Sequence, residues 1–252
     1  MKSLRAGAGL AILLILSLSA GAAKAQHSVD GPSEAAPFGS PIEDQYVWVH
    51  AIFEQVEGRF GSEDAFVWDG EAWTGTDTHR LWLKSEGELK DGEVEGGQHE
   101  ILYDHPISTY FDLQAGLRYD LDSRAGRSWA AFGVEGLAPY FFHIAATAYA
   151  SGSGHFAARF TGTYDLLITQ RLILQPDIEL NFYSKDDPKR LIGSGLAVLD
   201  LGIRLRYEIV RKFAPYIGVT YERKSGQTGT YAAAAGEKTD AIRLAVGVRS
   251  WF

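Results

Sequence analysis

The last fifteen residues of the chain read KTDAIRLAVGVRSWF (238–252) and alternate between two kinds of side chain. One face is apolar and carries Ile242, Leu244, Val246, Val248 and Phe252. The opposite face carries Arg243, Ala245, Gly247, Arg249 and Trp251. Alternation with a period of two residues predicts a β-strand. Because arginines recur on one face, that face cannot form the core of a soluble sandwich. The pattern favours a strand with lipid on one side and a polar lumen on the other.

Two further segments, 199–208 and 109–120, show the same alternation between an apolar and a charged face. A soluble β-sandwich would also bury one face of each strand. Strand length separates the two folds. The segments reach about ten residues or more, which a tilted strand needs to cross a bilayer, whereas strands of soluble proteins average about five or six residues.

The whole chain contains twelve such segments, and bacterial outer-membrane barrels have an even number of strands. They span residues 46–58, 64–73, 79–90, 93–104, 108–121, 127–136, 139–150, 154–166, 169–183, 196–209, 213–223 and 238–252. We therefore predict an all-β fold, a transmembrane antiparallel β-barrel of twelve strands. The second segment and 93–104, which Gly96-Gly97 interrupts, fit least well. A ten-strand barrel with residues 60–78 as an inserted loop is the alternative.

The connections between the segments alternate in length. Short links at 136–139, 165–168 and 210–213 are interleaved with more polar connections at 151–154, 184–195 and 224–237. Outer-membrane barrels have short periplasmic turns and longer extracellular loops. The alternation therefore predicts that both termini are periplasmic. The terminal Trp251-Phe252 then lies at the periplasmic interface, where aromatic residues are enriched.

The N-terminus has the order of a secretory signal. Lys2 and Arg5 precede an apolar run from Leu10 to Leu18, and small residues end at Ala25. The apolar run is shorter than the roughly 20 residues of a membrane-spanning helix. We expect a signal peptide at 1–25, a flexible periplasmic leader at 26–45, rich in Pro and Gly, and the barrel at 46–252.

The composition excludes several classes of function. Cysteine is absent, so disulfides and thiolate metal sites are excluded, and Met1 is the one methionine. A net charge of −8 argues against nucleic-acid binding. The sequence contains no G-x-S-x-G, H-E-x-x-H or P-loop motif. We therefore predict that the protein is not an enzyme. Outer-membrane phospholipases and proteases, which also use barrels, are the rival class.

Several long stretches of the chain resemble the copper resistance protein B family (CopB/PcoB). They are YDLLITQRLILQPDIELNFYSKDDPKRLIGSGLAVLDLGIRLRYEIVRKFAPYIGVTYERK (164–224), GLAPYFFHIAATAY (136–149), YFDLQAGLRYD (110–120), LWLKSEGE (81–88) and GVRSWF (247–252). The resemblance covers 46–252. It implies an outer-membrane component of a copper tolerance system that contacts membrane lipid, handles copper ions and works beside periplasmic copper-handling proteins.

One departure from the family concerns the leader. Many members carry an N-terminal region rich in Met and His, which suits soft Cu(I). Residues 26–45 contain only His27 and no methionine. The resemblance therefore does not extend to a role as a high-capacity copper sequestrant.

If the apolar faces point outward, the alternation assigns charged residues to the lumen. The lumen acids are Glu54, Glu86, Glu88, Asp112, Asp120, Glu135, Asp165, Asp177, Glu179, Asp200, Glu208 and Glu222. The lumen bases are Arg80, Lys84, Arg118, Arg159, Arg204, Arg206, Arg243 and Arg249. Because acids outnumber bases, the lumen should favour cations over anions. Alternatively, these groups form ion pairs that fill a small barrel and carry no flux.

Histidines supply the candidate metal ligands, because imidazole suits Cu(II) and carboxylates can complete such a site. His50 is the first candidate, with Glu54 four residues away on the same predicted inward face. His143 and His155 lie on one predicted hairpin, but their distances from its turn differ, so we do not expect them to oppose each other directly. For each histidine singly, a hydrogen-bonded lumen residue is the simpler interpretation.

Two functions are compatible with these observations besides the enzyme. The barrel could conduct or bind copper ions through an acidic lumen. Alternatively, it could be a closed copper-binding or scaffold barrel that docks periplasmic copper proteins through residues 26–45.

Overall fold

The computed structural model describes residues 46–121 and 126–252. They form antiparallel strands and little else. The strands are β1 (Trp48–Gly61), β2 (Ala65–Gly75), β3 (Arg80–Lys90), β4 (Glu93–Pro106), β5 (Phe111–Leu121), β6 (Arg127–Ala138), β7 (Phe142–Ser151), β8 (Phe156–Thr163), the two-residue β9 (Leu166–Leu167), β10 (Leu172–Tyr183), β11 (Gly195–Tyr207), β12 (Phe213–Lys224) and β13 (Asp240–Trp251).

The sheet closes on itself because the last strand pairs with the first. β13 pairs with β1 from Ile52–Trp251 to Gly61–Arg243, and β9 adds a short pairing at the end of β10. The twelve long strands form a closed barrel, which confirms the predicted fold class. The ten-strand alternative is wrong, because β2 pairs along its length with both β1 and β3.

The two faces of each strand meet different surroundings, as the alternation predicts. On β13, Ile242 is 66% exposed on the outer face, whereas Arg243 beside it is 3% exposed in the lumen. Exposed outer-face aromatics form two rows near the barrel ends, an arrangement typical of membrane barrels. One row includes Phe60, Phe66, Tyr119, Phe156 and Phe182, and the other includes Phe142, Tyr207, Phe213 and Phe252.

Two irregularities explain where the sequence pattern breaks. In β1, one extra residue lies between Phe53 and Val56, which forms a β-bulge. In β4, a register shift against β3 falls between Glu86 and Glu88. Gly96 lies opposite this shift with φ at +67°, a left-handed conformation that glycine adopts without a steric penalty. The interrupted segment 93–104 is therefore a strand with a bulge.

The barrel has two ends, which we name by their connections. The terminal mouth carries residue 46, Phe252 and the connections 76–79, 107–110, 139–141, 164–171 and 208–212. The loop mouth carries the connections 62–64, 91–92, 152–155, 184–194 and 225–239. The two longest connections lie at the loop mouth, but three of its turns, 62–64, 91–92 and 152–155, are as short as those at the terminal mouth. The link predicted at 165–168 is longer, because β9 folds back onto β10.

Two long connections pack together at the loop mouth. The connection 225–239 contains helix α1 (Gly226–Ala234), which the strand pattern did not predict. The Thr228 hydroxyl of α1 accepts a hydrogen bond from the Gly193 backbone N–H at 2.8 Å. Asp187, in the connection 184–194, forms an ion pair with Arg127 at the start of β6. Burial alone would raise the pKa of Asp187, but the hydrogen bond and charge of Arg127 hold that pKa below its ordinary value.

The predicted signal peptide at 1–25 and leader at 26–45 lie outside the described residues. Within 46–121 and 126–252, no helix is long and apolar enough to cross a membrane.

The outward position of Val246, which is 47% exposed near the middle of β13, gives a test of the membrane-facing surface. We expect Val246→Arg to lower the free energy of unfolding by roughly 2–4 kcal/mol, because it places a charge against hydrocarbon. Urea titration of protein folded into liposomes measures this effect. Ser62→Arg, which adds the same side chain in an exposed turn, should change stability by less than about 0.5 kcal/mol. Equal effects of the two substitutions would contradict the assigned orientation.

Candidate metal-binding lumen

One of the most buried charges in the lumen is Glu57, which is 1% exposed. Its carboxylate accepts hydrogen bonds from Arg204 at 2.9 Å, from Arg59 at 2.7 Å and from the Tyr216 hydroxyl at 2.9 Å. Two guanidinium groups and a phenol therefore compensate one carboxylate. A buried charge is tolerated only with such compensation.

The bulge in β1 brings Glu57 into the lumen. Before the bulge, His50 and Ile52 point inward, opposite Trp73 and Glu71 of β2. The extra residue shifts the alternation by one position, so that Gln55, Glu57 and Arg59 point inward after it. Strict alternation counted from His50 would place Glu57 outward, so the alternation does not predict Glu57 as a lumen residue.

A second ion-pair cluster, the Arg159 bridge, joins opposite walls of the barrel. Arg159 of β8 donates two hydrogen bonds to Glu86 of β3, at 2.6 and 2.5 Å. Four strands separate β3 from β8 on one side of the barrel and six on the other. Arg159 also donates to Glu179 of β10 at 2.7 Å. The bridge therefore spans the lumen close to its full width.

A cavity of about 480 Å³ lies on the terminal side of the Arg159 bridge. We call it the acidic vestibule. Nine carboxylates line it, against four basic side chains and one histidine, His143. The acids are Glu54, Asp69, Glu71, Glu86, Glu100, Glu135, Asp165, Asp177 and Glu179, and the bases are Lys84, Arg159, Arg204 and Arg249. This surplus of carboxylates favours cations over anions in the vestibule.

The charges in the vestibule are unevenly paired. Lys84 forms an ion pair with Glu135 at 2.5 Å and a longer one with Glu71 at 3.8 Å. Arg249 donates two hydrogen bonds to Glu54, at 2.6 and 2.9 Å. Among the described residues, the Asp69 carboxylate has no ion-pair or hydrogen-bond partner. The vestibule therefore contains a carboxyl group that none of its own bases pairs with.

The other predicted lumen acids also lie along the inner wall, and most of them pair with arginines. Glu88 and Glu222 contact Arg243, Asp120 contacts Arg118, Asp112 contacts Arg80, Asp200 contacts Arg59, and Asp165 contacts Arg206. Glu208 directly follows β11 at the terminal mouth. These pairs link neighbouring and facing strands along the inner wall of the barrel.

The four predicted metal-site residues are not brought together. His50 lies between the rings of Trp73 and Trp251, at 6.1 and 5.7 Å, and both Glu54 oxygens bind Arg249. His143 lines the vestibule near the terminal mouth. His155 lies at the loop mouth, where its Nδ1 is 3.0 Å from the Ser153 hydroxyl. Within the part of the chain that the structure describes, no group of three or more His, Asp or Glu could hold a metal ion.

Besides Glu57, several inward charged residues are not among the lumen residues predicted from the alternation. Arg59, Asp69, Glu71, Glu100 and Asp104 belong to this set. The sequence does contain a signal for Glu100 and Asp104, because the apolar Ile101 and Tyr103, which are exposed on the outer face, alternate with them. Alternation counted from these two apolar residues, beyond Gly96-Gly97, would have placed both acids inward.

Comparisons with known proteins agree on family and fold. The family described as "Copper resistance protein B precursor (CopB)" matches residues 47–252. Copper resistance protein B of Escherichia coli is 44% identical over 215 residues, which cover 85% of this chain and 73% of that protein. The homolog from Pseudomonas syringae pv. tomato is 42% identical with the same coverage. The NanC porin structure shares the fold, with a TM-score of 0.51 and 14% identity over 81% of this chain and 99% of the porin.

Fold and relatives together define the setting of the barrel. The porin-like barrel and the copper resistance relatives support an outer-membrane location, in which the outer face contacts lipid. They also suggest a role other than catalysis. A match over nearly all of the barrel, together with two relatives above 40% identity, is decisive for the family. The chain belongs to the copper resistance protein B family.

Proposed function

We propose that this barrel binds copper ions as cargo in its acidic vestibule, with the Arg159 bridge limiting their passage through the lumen. The observation that carries the proposal is the surplus of carboxylates in the vestibule, nine against four basic side chains. A low-dielectric wall around such a surplus raises the local concentration of cations. Membership of a copper resistance family makes copper the relevant cation.

The chemistry of the lining favours copper(II) over copper(I). Carboxylates and imidazole are ligands for copper(II), whereas copper(I) prefers thiolates and thioethers. The vestibule offers carboxylates and His143, and the sequence has no cysteine and no methionine beyond Met1. Because no compact group of three ligands exists in the described residues, we propose exchangeable copper held by several carboxylates rather than a permanent centre.

The proposal also assigns an orientation. With a signal peptide at 1–25 and both termini in the periplasm, the vestibule opens toward the periplasm. The leader at 26–45 precedes β1 at the terminal mouth, which supports a role in docking periplasmic copper-handling proteins near the vestibule.

Conduction of copper through the barrel is the second candidate function, and the Arg159 bridge is the observation that favours it. One arginine holds Glu86 and Glu179 from opposite walls. Displacement of that single side chain would expose two carboxylates along the axis of the lumen. In a barrel that serves only as a closed scaffold, the contact across the lumen would not need to depend on a single side chain such as Arg159.

Removal of two vestibule carboxylates tests copper binding. We expect the double variant Asp69→Asn/Glu71→Gln to bind copper(II) at least about tenfold more weakly, because it removes two of the carboxylates that attract and coordinate the ion. Isothermal titration of purified protein in detergent measures the affinity. Glu222→Gln makes the same chemical change outside the vestibule and should bind as the wild type does. Unchanged affinity in the double variant would overturn the proposed vestibule site.

Replacement of the bridging arginine tests conduction. Arg159→Met removes the link between Glu86 and the opposite wall, and we expect a larger, cation-selective conductance in planar bilayers. Arg249→Met is the control, because Arg249 pairs with Glu54 on the neighbouring strand and does not cross the lumen. Heat-modifiable migration on gels verifies that each variant is folded. Conductance of Arg159→Met at the wild-type level would exclude the bridge as the barrier.

A further inference from the structure

Two histidines form an exposed pair on the outer face at the terminal mouth. His79 ends the turn that leads into β3, and His105 is the penultimate residue of β4. The adjoining Arg80 and Asp104 are paired across the two strands, so the histidines occupy the next opposed position. Their rings lie 5.2 Å apart and 21° from parallel. Both side chains are exposed, and neither lines the acidic vestibule.

Neighbouring groups hold the His105 ring by one nitrogen. Nδ1 of His105 lies 2.8 Å from the backbone carbonyl of Thr78. Because a carbonyl only accepts hydrogen bonds, this contact places the proton on Nδ1 and leaves the lone pair of Nε2 available. A metal-binding histidine characteristically donates its second N–H to a carbonyl or carboxylate in this way.

His79 is held in a similar manner by the turn and by a tyrosine. Its backbone N–H donates to the Thr76 hydroxyl at 3.2 Å, and its carbonyl accepts from the Thr76 N–H at 2.9 Å. Its Nδ1 contacts the Tyr103 hydroxyl. With Nδ1–H donating to that oxygen, Nε2 of His79 also carries a free lone pair. Backbone and ring are thus both fixed before any ligand arrives.

We propose that His79 and His105 bind one copper(II) ion through their Nε2 atoms at the outer edge of the terminal mouth. Two imidazoles from opposed strand positions, with the remaining positions open to water, suit the tetragonal geometry of copper(II). The rings are separate from the carboxylates of the vestibule, so this is a second, surface site. Its exposure allows direct exchange of copper with another molecule, which a site inside the lumen does not allow.

Copper(II) titration of the whole purified barrel in detergent, read by electron paramagnetic resonance, tests the pair. For the wild type, we expect a copper signal, separate from that of any copper in the vestibule, whose spectrum shows coupling to two imidazole nitrogens. His79→Ala and His105→Ala should each weaken, at least tenfold, the binding of the copper that gives this two-nitrogen signal. The double variant should show no such signal. His99→Ala is the matched control, because His99 is another partly exposed histidine of β4 and its Nδ1 contacts Ser85 instead. It should retain the signal.

The outcomes separate this site from the vestibule. Persistence of the two-nitrogen signal in the double variant would overturn the pair. Loss of affinity in only one of the single variants would also overturn it, because a lone imidazole would then suffice. The variant Asp69→Asn/Glu71→Gln should keep the two-nitrogen signal even if its vestibule no longer binds copper. The proposal of the surface site and the proposal of the vestibule site can therefore be contradicted independently of each other.

Discussion

Charge pairing inside the lumen is the interaction on which the rest of this structure depends. The outer face must be apolar to meet lipid, so the charged side chains of the strands are confined to the interior. There, a buried charge without a partner costs several kcal/mol. Glu57, which is enclosed by Arg204, Arg59 and Tyr216, and the Arg159 bridge are two places where buried charges are paired. Together they tie walls of the barrel that share no backbone hydrogen bonds.

The same requirement gives the two ends of the lumen different characters. Toward the loop mouth, Arg243 compensates Glu88 and Glu222, and the packed connections 184–194 and 225–239 lie over that end. Toward the terminal mouth, the carboxylates of the vestibule exceed its bases. Under the proposed function, a copper ion would supply positive charge there. The asymmetry follows from where the arginines lie in the strands.

The fold was predictable from the sequence because its determinant is local. Strict alternation in segments such as 238–252 specifies both the strand and its orientation, and the structure confirms twelve of them in a closed barrel. The helix α1 was not predictable from a two-residue period, although its Tyr-Ala-Ala-Ala run contains alanine, the strongest helix former. The candidate site was predicted less completely. Glu57 depended on a bulge, and the pairing of His79 with His105 depended on register between strands.

The bulge in β1 has a consequence for how related sequences compare. Between Phe53 and Val56, β1 has one residue more than its partner strands. This extra residue decides which side chains from Gln55 to Gly61 point inward and which point outward. A relative with one residue fewer there would align well by composition, yet it would turn Arg59 toward lipid and Phe60 toward the lumen. The length of this short segment, more than the identity of its residues, decides whether a family member can bury a glutamate at the position of Glu57.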